Sequence, residues 1–216
     1  MGDAMIVTDI KPQKRGKNRL NLFLDGEFAV GLSPGVFEKS GIHIGQDLSI
    51  SEVETLKNAE QIQQAMEHAR RYLASRPRSE MEVKIRLRRY GYEEDVIVRT
   101  IDRLRESGLV DDTAFAAFWK QNRMDFNPRS THMVAQELKQ KGISSEVIDA
   151  TVEEIGDEEG AYRAGYKKAY SLSAASYYEF RQKLGAFLRR RGFDYEVIGA
   201  TVDRLWQEKL SEGENG

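Results

Sequence analysis

Side chains able to do acid–base, nucleophilic or metal chemistry are few and scattered in this chain. The three histidines, His43, His68 and His132, stand far apart, and no His-Glu-x2-His or P-loop spacing would gather a metal or cradle a phosphate. Cysteine is absent, which removes disulfides, thiolate ligands and cysteine nucleophiles and fits a reducing compartment. The carboxylates fall mostly at helix starts and on exposed faces. The expected chemistry is therefore recognition without turnover: no catalytic, cofactor-binding or metal residue is assigned, and no small-molecule substrate is implied.

Recognition by such a chain turns on charge, and the net value of −2 hides an uneven distribution. Lys and Arg stand against Asp and Glu as 7 to 8 in residues 1–58, 11 to 9 in 59–106, 5 to 11 in 107–160 and 10 to 7 in 161–216. Affinity for DNA grows with the number of phosphates neutralised, so a chain built for phosphate alone would carry a basic excess throughout. An alternating field suits a protein partner at least as well, because complementary patches fix register and speed encounter.

The elements that position these charges repeat. Leu87-x3-Gly91-x3-Asp95-Val96-Ile97-x2-Thr100-Ile101-x2-Leu104 returns as Leu138, Gly142, Glu146, Val147, Ile148, Thr151, Val152 and Ile155, and again as Leu188, Gly192, Glu196, Val197, Ile198, Thr201, Val202 and Leu205. Such periodicity is the signature of a helical array. Each repeated Gly follows an amphipathic run and precedes an apolar residue (Tyr92, Ile143, Phe193), the pattern of a left-handed C′ residue in a Schellman motif. The next helix starts at once, with Ser144 or Asp194 as N-cap, Glu93 as a poorer one, and an acidic residue in its first turn. Upstream, Glu60 to Ala74, Thr113 to Met124 and Ala161 to Tyr170 each leave room for another helix, so every repeat is a three-helix unit. Ser79 with Glu82 is a capping box, Ser130 is the corresponding cap, and Phe180 leaves the third start undefined. Asp111 and Asp112 read as an N-cap pair for the helix carrying Phe115.

Residues 1–58 differ. Leu20 to Val30 alternates around Asp25-Gly26, a two-residue hairpin signal because both turn positions need positive φ. Ala4 to Ile10 and Leu48 to Ile50 supply further strands, with a short helix near Pro34 to Ser40. The basic run Lys11, Lys14, Arg15, Lys17 and Arg19 before the hairpin is either a solvated loop or a contact site. The expected architecture is mainly α: three tandem three-helix repeats (59–108, 109–158, 159–210) in an elongated, curved array, preceded by a β-rich cap (1–58) and followed by a disordered tail (211–216). With 40% hydrophobic residues, no signal-peptide pattern and no run of roughly 20 apolar residues, the expected location is the cytoplasm, away from membranes.

Tyr72-Leu73-x2-Arg76-Pro77-Arg78-Ser79-Glu80-x-Glu82, then Gly108-Leu109-Val110-Asp111-Asp112-x2-Phe115-Ala116 and Leu138-x3-Gly142-Ile143, resemble the RecX family of recombination regulators. The likeness runs through residues 60–210, and Leu20 to Gly31 resembles the N-terminal extension of the longer, Gram-positive-type members. The resemblance implies a non-enzymatic regulator in DNA repair, recombination and the SOS response. It would bind the RecA recombinase and its nucleoprotein filament, limiting filament extension, strand exchange and ATP hydrolysis. On that view the contact candidates are Arg70, Arg71, Arg76, Arg78, Lys84, Arg88 and Arg89 in the first module and Arg189, Arg190 and Arg191 in the third, each of which could equally sit on a solvated face. A direct DNA-binding helical-repeat module is the alternative, weak contact with single- or double-stranded DNA is compatible with both, and a scaffold for another helical partner is a third reading.

Overall fold

The computed structural model describes residues 4–13, 19–153, 156–173 and 176–213. Lys14, Arg15, Lys17 and Ile155 lie outside the described residues. The chain divides into two compact units, Met1–Val110 and Asp111–Gly216.

The first unit opens with β1 (Met5–Pro12), β2 (Leu20–Leu24), β3 (Glu27–Leu32), α1 (Pro34–Ser40) and β4 (Asp47–Leu48). The strands form one antiparallel sheet of order β3-β2-β1-β4. Its hairpin turns at Asp25 and Gly26, both at positive φ (49° and 85°) as a type I′ connection demands. Val7, Leu22, Leu24, Ile42 and Leu48 from this region bury against Val53 and Leu56 of α2 (Ile50–Leu73). That helix begins ten residues before the expected Glu60 and crosses the expected 58/59 boundary. The cause is local: Ser49 and Glu52 form a full capping box, and the helix then serves the sheet with one end and the first repeat with the other.

The first repeat comprises α2, α3 (Glu80–Arg89) and α4 (Glu94–Glu106). Ile62, Ala65, Met66 and Ala69 of α2 pack on Val83 and Leu87 of α3 and on Val96, Ile97, Ile101 and Leu104 of α4. The Schellman geometry is complete: Tyr92 N–H donates to Leu87 O at 3.4 Å, Gly91 N–H to Arg88 O at 2.9 Å, and Gly91 has φ 84°. Glu93 begins α4 without a side-chain capping bond, the poor cap its sequence suggests.

The second unit holds α5 (Asp112–Phe126), α6 (Thr131–Gln140), α7 (Ser145–Val152), α8 (Asp157–Ser171), α9 (Tyr177–Arg189) and α10 (Tyr195–Gly213). Asp111 caps α5, accepting from Thr113 N and Ala114 N. The Schellman bonds recur at Ile143 N to Leu138 O (3.2 Å) and Gly142 N to Lys139 O (3.0 Å). Ser176 caps α9, four positions before Phe180, so the third repeat's middle helix has 13 residues where α3 and α6 have 10. Phe180 is fully buried there, filling the core with Leu184, Leu188, Val202 and Leu205. At the C-terminus α10 runs to Gly213, so residues 211–213 are helical where a tail was expected.

Among the described residues the middle repeat has the smallest core, Phe115, Ala116, Val134, Leu138, Ile143 and Ile148, and it leans on the third. Thr131 donates from N (2.6 Å) and Oγ1 (2.7 Å) to Asp157 Oδ1, Ser130 N–H donates to Arg191 O (3.0 Å), and Arg191 Nη1 reaches Pro128 O (3.0 Å) and Asn127 Oδ1. Repeats two and three thus share a junction, as stacked modules with small private cores must.

Candidate partner-binding surface

In the first unit, helical spacing lines up a mixed cationic and aromatic surface. His68 and Tyr72 are four apart on α2, and Arg86 of α3 is four before Tyr90, the residue that caps that helix, so each pair shares one face. The Arg78 guanidinium lies 4.1 Å from the Tyr72 ring centroid, and Arg86 lies 5.5 Å from Tyr72 and 4.9 Å from Tyr90. His68 stacks on Tyr90 at 4.3 Å and 17°, with its Nδ1 2.9 Å from Tyr92 Oη. A shallow recess of 190 Å³ is lined by His68, Arg71, Tyr72, Ser75, Arg86 and Tyr90. Guanidinium groups braced against rings are held in place before any partner arrives, and they receive carboxylate or phosphate in a fixed geometry.

The contact candidates sort into two groups. Arg70 and Arg89 are exposed, and their guanidinium groups have no ion pair among the described residues. Arg71 is exposed beside Glu67 at 3.8 Å. The others have internal tasks. Arg76 grips Glu82 through two hydrogen bonds (3.2 and 3.0 Å), Arg78 donates to Ser75 Oγ (3.1 Å), and Lys84 pairs with Glu80 at 2.6 Å. Arg88 holds Glu94 through two bonds of 2.9 and 2.7 Å, which keeps that carboxyl below the usual glutamate range. Arg86 belongs to the surface although the sequence reading left it out; its i, i+4 relation to Tyr90 was the available signal.

In the second unit Arg189 and Arg190 are exposed at the end of α9, whereas Arg191 turns inward. Its guanidinium stacks 4.5 Å from the Phe187 centroid and bonds to Asn127 and Pro128. Burial first, and then the charge of Arg129, lowers its pKa from the ordinary arginine value. Arg191 is a clamp between modules. The second repeat also neutralises its cations internally: Glu137 accepts from Trp119 Nε1 (2.7 Å) and pairs with Arg123 and Arg129 at 2.6 Å each. An open recess of 840 Å³ at the junction is lined in part by Phe126, Arg163, Tyr166, Lys167, Lys168 and Phe187, a second cationic and aromatic surface that no sequence motif announced.

Four family models cover nearly all of this architecture: the RecX regulatory protein N-terminal domain at residues 5–49, and the first, second and third RecX three-helix domains at 65–104, 111–152 and 156–202. The regulatory protein RecX of Lactobacillus gasseri is 33% identical over 208 residues, 94% of this chain and 76% of that one. The chain belongs to the RecX family. The RecX of Lactobacillus johnsonii is 31% identical over 210 residues, 96% of this chain and 77% of its own. A crystal structure of regulatory protein RecX superposes with a TM-score of 0.71 at 25% identity, covering 92% of this chain and 99% of that one.

The three RecX three-helix models fall on α2–α4, α5–α7 and α8–α10, which is the modular division that the repeated glycines imply. The expectation that no Gly-x-Ser-x-Gly pattern occurs is corrected by Gly31-Leu32-Ser33-Pro34-Gly35, which ends β3 and opens α1 as a nucleophile elbow would. Its geometry is that of a helix start. Ser33 has φ −73°, without elbow strain, and its hydroxyl oxygen is buried with no hydrogen-bond partner, so no base reaches it. Its N–H donates to Glu60 Oε2 at 2.7 Å. Among the described residues no group of three or more His, Asp or Glu could hold a metal, and no helix is long and apolar enough to cross a membrane.

Proposed function

We propose that this RecX-family chain acts as a regulator of the RecA recombinase, occupying the nucleoprotein filament and limiting its extension, strand exchange and ATP hydrolysis in the cytoplasm. The observation that carries the reading is the arginine surface of the first unit, where Arg86 stands exposed against Tyr90 and Arg70 and Arg89 are exposed with no ion pair among the described residues. Membership of the RecX family supports a protein partner. Several modest contacts on linked modules add through effective concentration, so no single strong pocket is needed.

The test is co-sedimentation with recombinase filaments on single-stranded DNA. The variant Arg70→Glu, Arg86→Glu, Arg89→Glu should lose binding by about tenfold or more while its circular dichroism stays that of the parent. Unchanged co-sedimentation removes this surface from the interface. A second reading, direct nucleic-acid contact, is favoured by the recess holding Arg163, Lys167 and Lys168 beside Tyr166 and Phe126. Binding to DNA without recombinase that falls steeply with salt supports it.

A further inference from the structure

The third repeat contains an unoccupied counterpart of an ion-pair network that the first repeat closes on itself. Positions 101 apart in sequence are equivalent: Glu80 with Arg181, Lys84 with Gly185, Arg88 with Arg189, Glu94 with Tyr195 and Val98 with Gly199. In the first repeat Glu80 pairs with Lys84 (2.6 Å) and Arg105 (2.7 Å), and Glu94 pairs with Arg88 (2.7 Å), so carboxylates bridge α3 and α4. In the third repeat both carboxylates are gone. Arg189 retains its charge with no ion pair among the described residues, Arg181 adds a second charge, and the lysine and valine have become glycines.

These exchanges leave a groove of 500 Å³ between α9 and α10, floored by Gly185, Ala186, Ile198, Gly199 and Val202. Its walls are Tyr178 and Tyr195, which are 70% and 80% exposed. Hydrogen bonds brace the walls: Arg181 Nη2 donates to Tyr195 Oη (3.2 Å) and Gln182 Nε2 to Tyr178 Oη (2.8 Å). Among the described residues no carboxylate lines the groove.

We propose that this groove docks an acidic peptide segment of a protein partner, a bulky apolar side chain entering between the tyrosines and two carboxylates meeting Arg181 and Arg189. The arginines are eight residues apart on one helix, about 12 Å, which sets the spacing of the incoming acids. Charge complementarity decides the class of partner. In the first repeat the chain's own Glu94 supplies the carboxylate that Arg88 needs; in the third it must come from outside. A continuous phosphate backbone fits less well, because it would have to run on past Asp194, Glu196 and Asp203, which lie on or beside the same two helices outside the lining and would repel it. Two discrete acids flanking an apolar anchor avoid that repulsion.

The test uses the full chain and a fluorescein-labelled peptide in which two Asp residues flank one Phe at this spacing, compared with its Asn counterpart and with labelled oligothymidylate. Fluorescence anisotropy should show the acidic peptide binding about tenfold or more tighter than the Asn peptide. Arg181→Glu with Arg189→Glu should abolish the difference. Gly185→Lys with Gly199→Val, which transplants the first repeat's residues, should close the groove and lose binding by about tenfold. Both glycines are helical and meet at most an ordinary 3.5 Å contact, so that variant keeps or gains helix stability. Equal binding of the two peptides, or binding that survives the filled groove, overturns the proposal. So does a preference for oligothymidylate lost in the same variants, which would make the groove a nucleic-acid site.

Discussion

Ser130 donates its backbone N–H to the carbonyl of Arg191 at 3.0 Å, across the junction of the second and third repeats. In the first repeat the equivalent donor, Ser79 N–H, is satisfied within its own capping box by Glu82 at 3.3 Å. The second repeat has Met133 at that position, which accepts nothing, so a carbonyl from the neighbouring repeat fills the role. One substitution thus turns a self-contained helix start into a docking contact.

Gly192 follows from that contact. A Cβ there would lie 2.1 Å from Met133 Cγ and 2.6 Å from Ser130 Oγ, while at Gly91 it would meet open space. Gly91→Ala should cost about 1–2 kcal/mol for the left-handed backbone alone, and Gly192→Ala clearly more. Urea titrations of the two variants check this; equal losses would show that the junction yields freely.

A second prediction concerns Glu60, 2% exposed, which joins Arg19 at 2.6 Å, Ser33 N at 2.7 Å and Gln64 at 2.9 Å. Glu60→Ala takes the carboxylate from Arg19, which keeps the Gly31 carbonyl (2.9 Å), and leaves the buried Ser33 N–H without its acceptor, a loss of about 3 kcal/mol. Both tryptophans, Trp119 and Trp206, lie in the second unit. The far-UV transition should therefore move to lower urea while the tryptophan transition stays. Coincident, unshifted transitions would contradict the role given to the pair.

Part of the acid sensitivity should trace to Glu80, the most buried of the carboxyls held below their ordinary range. Burial pushes its carboxyl up, but the hydrogen bonds and charges of Lys84 and Arg105 outweigh burial and hold it below the ordinary glutamate range. A carboxyl whose pKa is lower in the folded chain stabilises it above the unfolded value and loses that contribution as pH falls through the folded one. Urea midpoints should drop as pH is taken below about 4.5, and Glu80→Gln should flatten this limb; an unchanged slope in the variant would assign the acid sensitivity elsewhere.

The modular fold was legible because local chemistry encodes it: Gly91 and Gly142 end their helices through the bonds their spacing implies, and the Val96-to-Leu104 stripe is buried as its period requires. The backward extension of α2 was missed because Ser49 and Glu52 lie before the apolar period begins. The candidate surface was less legible. A row of cations does not state which of them meet a carboxylate in the fold: Arg88 meets Glu94 and Arg191 turns inward, while Arg86 gains its place from rings on two helices. Glu60 gave no warning, since a glutamate in the middle of a helix reads as solvated until Arg19 and the backbone of Ser33 come to cover it.

ATP hydrolysis by the cognate recombinase on single-stranded DNA, with and without this chain at matched salt, is the decisive measurement. Hydrolysis should fall as the chain is added, and Arg70→Glu, Arg86→Glu, Arg89→Glu should need about tenfold more protein for the same effect. Hydrolysis unchanged by a folded chain in excess over the filament would contradict the proposed function.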